Sequence, residues 1–184
     1  MDISLLRQVP LFEALDDEQL EAIALVTITR SFDKDQVIIL AEEEGDALFI
    51  ISDGQVKVSI VSEDGREVIL SLLGPGAVFG ELSLLDGKPR SANVVATADT
   101  GLYMVRRSDF LQLVYKVPQI AVGLLSELAS RLRKTDRKIE GLALLDVTSR
   151  ISETLLSLAD EQGTKTDEGI QLESRPTHQQ IANM

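Results

Sequence analysis

The chain has 184 residues, of which 44% are hydrophobic, and a formal net charge of −12. It can bury a core, and its acidic balance argues against a bulk electrostatic grip on nucleic acid or anionic lipid. Cysteine is absent and histidine occurs once, which excludes disulfides, thiolate nucleophiles and the usual cysteine-ligated or multi-histidine metal sites.

The N-terminal segment lacks the features of a targeting signal. It lacks a basic region followed by an apolar core, and no apolar run in the chain approaches the roughly 18 residues of a membrane span. We therefore expect a soluble cytoplasmic protein without membrane contact.

The first helix is predicted after Asp16, because Asp16 and Gln19 form a capping-box pair and Leu20, Ile23 and Ala24 then share a face.

Short strands separated by turns are predicted from about Arg30 to Arg107. Apolar and polar residues alternate over 56–60 and again over 68–72, and the Asp64-Gly65 pair between these runs predicts a hairpin. The same dipeptide in Ser52-Asp53-Gly54 predicts a second hairpin, and Gly45-Asp46 a further turn. Many short strands without intervening helices indicate a β-roll or sandwich rather than a βαβ enzyme.

The pattern of the chain changes at Val117–Pro118. Residues 1–117 carry ten basic and 20 acidic side chains, whereas residues 118–184 carry eight and ten. Beyond Pro118 the spacing alternates between four and three residues, which is typical of a coiled-coil seam, and proline suits a first helical turn. The seam positions are Ala121, Leu125, Leu128, Leu132, Thr135, Ile139 and Leu142. We predict a dimerisation helix over 118–145; packing of this helix on its own domain is the alternative.

The last forty residues predict a helix, a polar loop, a strand and a second helix. Asp146 can cap the first helix, the loop covers 160–168, the strand lies around 170–173, and Thr177 with Gln180 forms another capping box. The chain stops at Met184, one turn or so into the second helix. Because a short helix without a partner is not a stable ending, we expect a fragment.

The segment 79–92 carries residues suited to binding an anion. Gly80 lets the backbone approach a ligand closely and offers its own N–H group. A short helix beginning at Glu81 would direct its first amides toward the same anion. Arg90 presents a planar fork of donors that matches the oxygens of a phosphate.

Two further features of segment 79–92, which we call the cradle, specify its ligand. Ser91, with its own amide and that of Ala92, can complete the contacts to a phosphate. Glu81 would repel a phosphate, so its presence makes sense only if the ligand also offers a hydroxyl donor, as a ribose does. Each residue alone has an ordinary structural explanation. Their combination at this spacing indicates a nucleotide whose phosphate is tied close to its sugar.

The chain resembles the cyclic-AMP receptor branch of the bacterial cyclic-AMP-receptor and fumarate-nitrate-regulator superfamily. The resemblance covers essentially the whole chain and is most specific in the cradle. Other similar segments are Val9 to Phe12, Glu44 to Ile51, Leu145 to Thr148 and Thr177 to Ala182. It implies an α+β fold: a jelly-roll-like β-roll over 1–117 that encloses a cyclic nucleotide, flanking helices, a long dimerising helix over 118–145, and an incomplete winged helix-turn-helix over 146–184.

The resemblance implies roles for individual residues. Glu81 would accept a hydrogen bond from the ribose 2′-OH, and Arg90 with Ser91 would hold the cyclic phosphate. Arg131 would support this polar cluster and Thr135 would contact adenine. The full ligand-binding set is Gly80, Glu81, Leu82, Arg90, Ser91, Ala92, Arg131, Thr135 and Asp136, and the hinge elements are Gly141 and Asp146.

Thr135 and Asp136 bear on the identity of the base. Thr135 is the only polar residue of the seam between Ala121 and Leu142, so it also fits a role in fixing the seam register. Beside it, enteric members of the family carry a serine that reaches the base bound in the partner subunit. A carboxylate only accepts hydrogen bonds, so Asp136 tolerates the amine of adenine and better suits the N1–H and 2-amino donors of guanine. We expect cyclic AMP as the effector, with selectivity shifted toward cyclic GMP.

The implied function is that of a homodimeric, allosteric transcription regulator that uses no cofactor. Effector binding would shift a population between two seam registers and move the following domain through residues 140–146. DNA and RNA polymerase are expected partners of the full-length protein only; some family members touch the polymerase near the 164–169 loop.

Three alternatives stay open. A cyclic-nucleotide module of an enzyme or channel would share the roll but not the seam and the helix-turn-helix start. A cupin-like metalloenzyme would need several histidines, and His178 is the only one. A regulator of the same family could sense cyclic di-GMP. No nucleophile–base pair or metal-ligand cluster is visible in the sequence, so we predict neither catalysis nor a metal site.

Overall fold

The structure, a computed structural model, describes residues 3–167, 169–172 and 176–184. The chain divides into two compact units, Met1–Ala129 and Ser130–Met184. The helices of the first unit are α1 (Ile3–Arg7), α2 (Asp17–Val26), α3 (Glu81–Asp86) and α4 (Arg107–Lys116), with a short 3-10 helix at Pro10–Phe12. Helix α5 (Gln119–Leu144) begins in the first unit and ends in the second, which also contains α6 (Val147–Gln162) and α7 (His178–Ala182).

Within residues 3–129, eight strands form two four-stranded antiparallel sheets. They are β1 (Thr27–Phe32), β2 (Val37–Ile39), β3 (Ala47–Asp53), β4 (Val56–Val61), β5 (Glu67–Leu73), β6 (Val78–Phe79), β7 (Asn93–Ala96) and β8 (Thr100–Arg106). The strand orders are β1-β8-β3-β6 and β2-β7-β4-β5. The predicted α+β class with a β-roll is confirmed. In the second unit, β9 (Gly163–Thr166) pairs with β10 (Gly169–Leu172).

The two Asp-Gly turns have different outcomes. The hairpin at Asp64-Gly65 is confirmed, because β4 and β5 pair with Ile60 opposite Val68. The hairpin predicted at Asp53-Gly54 is wrong: β3 pairs with β6 and β8, whereas β4 pairs with β5 and β7. The turn carries the chain from one sheet to the other. An Asp-Gly pair fixes the local backbone, but the pairing of the flanking strands depends on which faces must be buried.

Strand β3 is buried on both faces, which explains its unbroken apolar sequence. Leu48 and Ile50 belong to the core formed with the helices, whereas Phe49 and Ile51 line the interior between the two sheets. The ring of Phe49 stacks on that of Phe79, with centroids 5.2 Å apart. Because side chains alternate along a strand, this one element serves both cores.

The predicted helix caps are present. The Gln19 N–H donates to Asp16 Oδ1 at 2.9 Å and the Asp16 N–H donates to Gln19 Oε1 at 3.2 Å, which closes a capping box. A second box joins Thr177 and Gln180 at the start of α7. The expectation that the first helix follows Asp16 is wrong, however, since α1 and the 3-10 helix precede it. The 3-10 helix has no side-chain cap that the sequence would reveal.

The polar loop predicted over 160–168 is wrong in its first part. Helix α6 continues to Gln162 and β9 occupies 163–166, where polar residues form an exposed strand pair. The predicted strand around 170–173 is confirmed as β10 up to Leu172. Positions 168 and 173 lie outside the described residues. In the described part of the chain, no helix is both long and apolar enough to cross a bilayer.

Replacing Glu42 by glycine is expected to stabilise the protein. Glu42 has a φ of 66°, and its side chain is exposed. The left-handed region costs a non-glycine residue roughly 1–2 kcal/mol, and the extra freedom of glycine in the unfolded chain offsets about 0.4–1 kcal/mol of the relief. We expect a gain of about 0.5–1 kcal/mol in urea unfolding. Glu43→Gly, at a neighbour without positive φ, is the control and should destabilise; a gain there as well would contradict the backbone explanation.

Candidate functional site

The cradle is built around Arg90, which lies between α3 and β7. Its backbone is fixed by two hydrogen bonds to the loop before β3: the Arg90 N–H donates to the Glu43 carbonyl at 2.8 Å, and the Glu42 N–H donates to the Arg90 carbonyl at 2.9 Å. Arg90 lies outside any helix or strand, and these two hydrogen bonds fix its backbone against the loop before β3.

The Arg90 side chain is buried and held by three acceptors. Nη1 donates to the Gly80 carbonyl at 2.7 Å and to Ser83 Oγ at 2.9 Å, and Nη2 donates to the Ala47 carbonyl at 2.7 Å. Only 7% of the residue's surface is exposed. A guanidinium has five N–H donors. Among the described residues, the N–H at Nε and one at Nη2 have no recorded acceptor, so two donors remain for a ligand.

The charge of Arg90 is balanced by nearby acids. Burial lowers the pKa of the Arg90 guanidinium from its ordinary value, and the negative charges of Asp46 and Glu81 oppose that shift. Glu81 itself is 4% exposed in the first turn of α3. Because arginine stays protonated in proteins, the site presents a fixed cation beside a buried carboxylate. That arrangement suits a ligand with both an anionic and a hydroxyl group.

Two glycines make room for the guanidinium. A Cβ at Gly45 would lie 2.1 Å from Arg90 Nε and 2.3 Å from its Cζ. A Cβ at Gly80 would lie 2.7 Å from Arg90 Nη1, and Gly80 also has a φ of 80°, in the left-handed region. Gly80 is the residue before the first residue of α3, and its αL conformation is one that glycine adopts without the steric cost of a Cβ.

The remaining cradle residues lie on either side of this centre. Ala92 is buried, Ser91 is exposed, and Leu82 is 46% exposed. The structure thus joins Gly80 and Arg90 by a hydrogen bond and places Glu81 where its charge acts on Arg90. Leu82, Ser91 and Ala92 adjoin these residues in the chain. Sequence reasoning missed Gly45, Ala47 and Ser83. The sequence singles out Gly45 as a turn residue and as part of the similar segment Glu44 to Ile51, but not as a site residue. The Ala47 carbonyl belongs to the backbone, whose contacts the residue type does not reveal.

The other three predicted ligand residues lie on α5, in the second unit. Arg131 is half-buried, and Thr135 and Asp136 are exposed. Thr135 Oγ1 donates to the Arg131 carbonyl at 3.0 Å, an arrangement open to helical threonines. Since its only proton is used in that bond, Thr135 presents lone pairs alone. The carboxylate of Asp136 does the same, so both side chains are acceptors.

The predicted seam is apolar and uncovered in the single chain. The exposed fraction is 66% for Leu125, 62% for Leu132, 59% for Ile139 and 64% for Leu142. Leu128 packs instead against the core of the first unit. Exposed leucine and isoleucine at regular spacing along one helix mark a surface suited to a partner helix.

The two hinge predictions lie at the junction of α5 and α6. Gly141 is buried, and a Cβ there would lie 3.3 Å from Glu153 Oε2. Asp146 caps α6 by accepting from the Ser149 N–H at 2.8 Å, and this hydrogen bond lowers the pKa of the Asp146 carboxyl. Across the described residues, no cluster of three histidine or acidic side chains could hold a metal ion.

The chain is similar to known proteins along most of its length. Residues 29–116 match the family model of the cyclic nucleotide-binding domain. A cyclic AMP receptor protein of Thermus thermophilus is 36% identical over 81% of this chain and 69% of its own length. A CRP-like cAMP-activated global transcriptional regulator of Mycobacterium tuberculosis is 29% identical over 98% and 80%, respectively. The structure of a c-di-GMP responsive global regulator of Xanthomonas campestris is 26% identical, with a TM-score of 0.79 over 92% of this chain and 84% of that one.

Proposed function

The chain belongs to the cyclic-AMP receptor family of transcription regulators, and we propose that it binds a cyclic mononucleotide, with cyclic AMP as first candidate, through the Arg90 cradle. It is a cyclic-nucleotide-responsive regulator. The observation that carries the ligand assignment is a buried guanidinium, held by three acceptors, that keeps two N–H donors beside a buried carboxylate. A cyclic nucleotide offers a phosphate for the first and a ribose hydroxyl for the second.

We assign the contacts as follows. Arg90 and Ser91 hold the cyclic phosphate, and Glu81 accepts from the ribose 2′-OH. The amides near Gly80 and Ala92 add donors to the phosphate, while Leu82 provides apolar surface beside the sugar. Charge-assisted hydrogen bonds are the strongest of these contacts, so Arg90 contributes most to the affinity.

In this proposal, residues of α5 contact the base of the nucleotide. Arg131 supports the polar cluster, and Thr135 and Asp136 contact the base. Both base-reading side chains are acceptors, because the Thr135 proton is donated to the Arg131 carbonyl. They accept from the amine of adenine, and guanine offers them more donors. The Asp136 carboxylate is therefore expected to raise the affinity for cyclic GMP relative to cyclic AMP, compared with a serine there.

Calorimetric titration of the protein with cyclic AMP, cyclic GMP and cyclic di-GMP tests the proposed binding of a cyclic mononucleotide and the proposed role of Asp136. We expect binding of the two mononucleotides. Asp136→Ser should lower the ratio of cyclic GMP affinity to cyclic AMP affinity by about fivefold or more, because a neutral hydroxyl replaces a charged acceptor that can bind both guanine donors. An unchanged preference would remove the role of Asp136. Binding of cyclic di-GMP alone would favour the second candidate, a c-di-GMP-responsive regulator, which the similarity to the Xanthomonas campestris structure supports.

Dimerisation through α5 is part of the proposal. Four exposed apolar side chains at heptad spacing are better covered by a second copy of the helix than by water. Burial of each such side chain contributes about 1.5–3 kcal/mol. In sedimentation experiments, we expect a dimer for the wild type and a monomer for the Leu132→Lys, Ile139→Lys double variant. Glu140→Lys, an exposed substitution outside the seam, is the control and should stay dimeric; a dimeric double variant would contradict the seam.

The remaining expectations concern the regulatory output. We propose a ligand-binding domain over 1–117, a dimerisation helix over 118–145 and a DNA-binding region over 146–184. Ligand binding would favour one register of the seam and act on DNA binding through Gly141 and Asp146. Such a regulator needs no catalytic group or cofactor, and contact with DNA and RNA polymerase would place it in the cytoplasm.

A further inference from the structure

We propose that Ser83 is a positioning residue for the ligand phosphate: its hydroxyl fixes the rotation of the Arg90 guanidinium and thereby decides which phosphate oxygen the guanidinium binds. This inference rests on the proposed function of the same cradle. It concerns a residue that the sequence did not single out, and one that need not touch the ligand.

The geometry gives Ser83 a defined task. Ser83 lies in the first turn of α3 and is 3% exposed. Its Oγ accepts from Arg90 Nη1 at 2.9 Å, and the same nitrogen donates to the Gly80 carbonyl at 2.7 Å. Both protons of Nη1 are thus engaged. With Nη2 bound to the Ala47 carbonyl, a planar group is held at three points, so neither its plane nor its rotation within that plane is free.

Loss of the hydroxyl leaves two of these three points. The carbonyls of Gly80 and Ala47 belong to the backbone and stay in place, but one proton of Nη1 loses its partner. The guanidinium can then rotate toward the ligand with less restraint, and the two donors at Nε and Nη2 no longer have one preferred direction. A cyclic phosphate has two exocyclic oxygens, and a guanidinium of fixed orientation treats them differently, whereas one that rotates distinguishes them less.

The phosphorothioate analogues of cyclic AMP measure this discrimination, because the Rp and Sp forms carry sulfur at one or the other exocyclic position. We expect the wild type to bind the two forms with different affinities. Ser83→Ala should reduce the ratio at least threefold and weaken cyclic AMP itself by about threefold to tenfold, a modest loss because the serine contact exists in both free and bound protein. Ser83→Thr, which keeps the hydroxyl, should restore the ratio.

Ser59→Ala is the matched control. Ser59 is 1% exposed in β4, and its Oγ has no hydrogen-bond partner among the described residues. Its removal deletes a buried serine hydroxyl without touching Arg90, and the ratio should stay at the wild-type value. Should Ser83→Ala fail to fold, Ser83→Cys keeps the volume and replaces the oxygen by a weak acceptor. An unchanged ratio in Ser83→Ala, or in Ser83→Cys where Ser83→Ala does not fold, would overturn the proposal, as would equal binding of both analogues by the wild type.

A measurement without ligand separates this inference from the proposed function. In the unliganded protein, the Nη1 protons of Arg90, one of which is bound by Ser83 Oγ, should exchange with solvent more slowly in the wild type and Ser83→Thr than in Ser83→Ala, as followed by NMR. Failure of the wild type to bind any cyclic mononucleotide would count against the proposed function alone. Equal exchange in all three proteins would count against Ser83 as the residue that positions Arg90.

Discussion

Arg90→Ala is expected to weaken cyclic-nucleotide binding by about 30-fold to more than 1,000-fold. Removal of one partner from a buried, charge-assisted contact costs about 2–5 kcal/mol, because the other partner stays buried and unpaired. Arg90 meets this condition, since 7% of its surface is exposed. Isothermal titration with cyclic AMP, compared with the wild type, gives the loss directly.

Two further measurements make that result specific. Arg90→Ala also deprives the carbonyls of Gly80 and Ala47 of their donor, so its unfolding must be followed in parallel. Arg90→Lys keeps the charge but offers a point donor in place of a fork, and it should bind more weakly than the wild type and more tightly than Arg90→Ala. A loss below about twofold in a folded Arg90→Ala protein, as found for exposed ion pairs, would place the phosphate elsewhere.

Gly45→Ala is expected to have the second largest effect, although residue 45 need not touch the ligand. The new methyl carbon would lie 2.1 Å from Arg90 Nε, far inside the contact distance of two atoms. The guanidinium must therefore leave at least one of its three acceptors. A hydrogen bond to a charged group contributes about 1.5–3 kcal/mol, so we expect affinity for cyclic AMP to fall by about tenfold to a hundredfold.

Gly74→Ala provides the control for the added methyl group. Nothing lies within 4 Å of a Cβ at Gly74, and its φ is not in the left-handed region. This variant should bind cyclic AMP within about twofold of the wild type, as for a surface substitution away from the site. If Gly45→Ala binds cyclic AMP as tightly as Gly74→Ala, the space that Gly45 leaves for Arg90 is not required for ligand binding.

Local signals in the sequence predicted the elements that are determined locally. The caps at Asp16, Asp146 and Thr177 and the hairpin at Asp64-Gly65 depend on residues three or four positions apart, and all four are confirmed. The turn at Asp53-Gly54 shows the limit of such signals. Its flanking strands pair with partners far along the chain, and that pairing follows from burial of both faces of β3.

The cradle shows the same limit at the level of single atoms. Arg90, Glu81 and Gly80 could be singled out because their side chains, or the absence of one, are matched to a nucleotide phosphate and ribose. Two of the acceptors that hold Arg90 are main-chain carbonyls, and one of them, at Ala47, lies 43 positions away. Such a partner becomes visible only when the register of β3 against its neighbours is known.

Because main-chain carbonyls hold Arg90, they determine which substitutions around it the protein can tolerate. A substitution at residue 47 replaces a side chain but leaves the carbonyl that binds Nη2, so the support of Arg90 survives any small residue there that preserves the strand. Mutational sensitivity is concentrated instead where space is needed, at Gly45 and Gly80. The residues around Arg90 can therefore change in composition while the main-chain support of the proposed phosphate ligand stays in place.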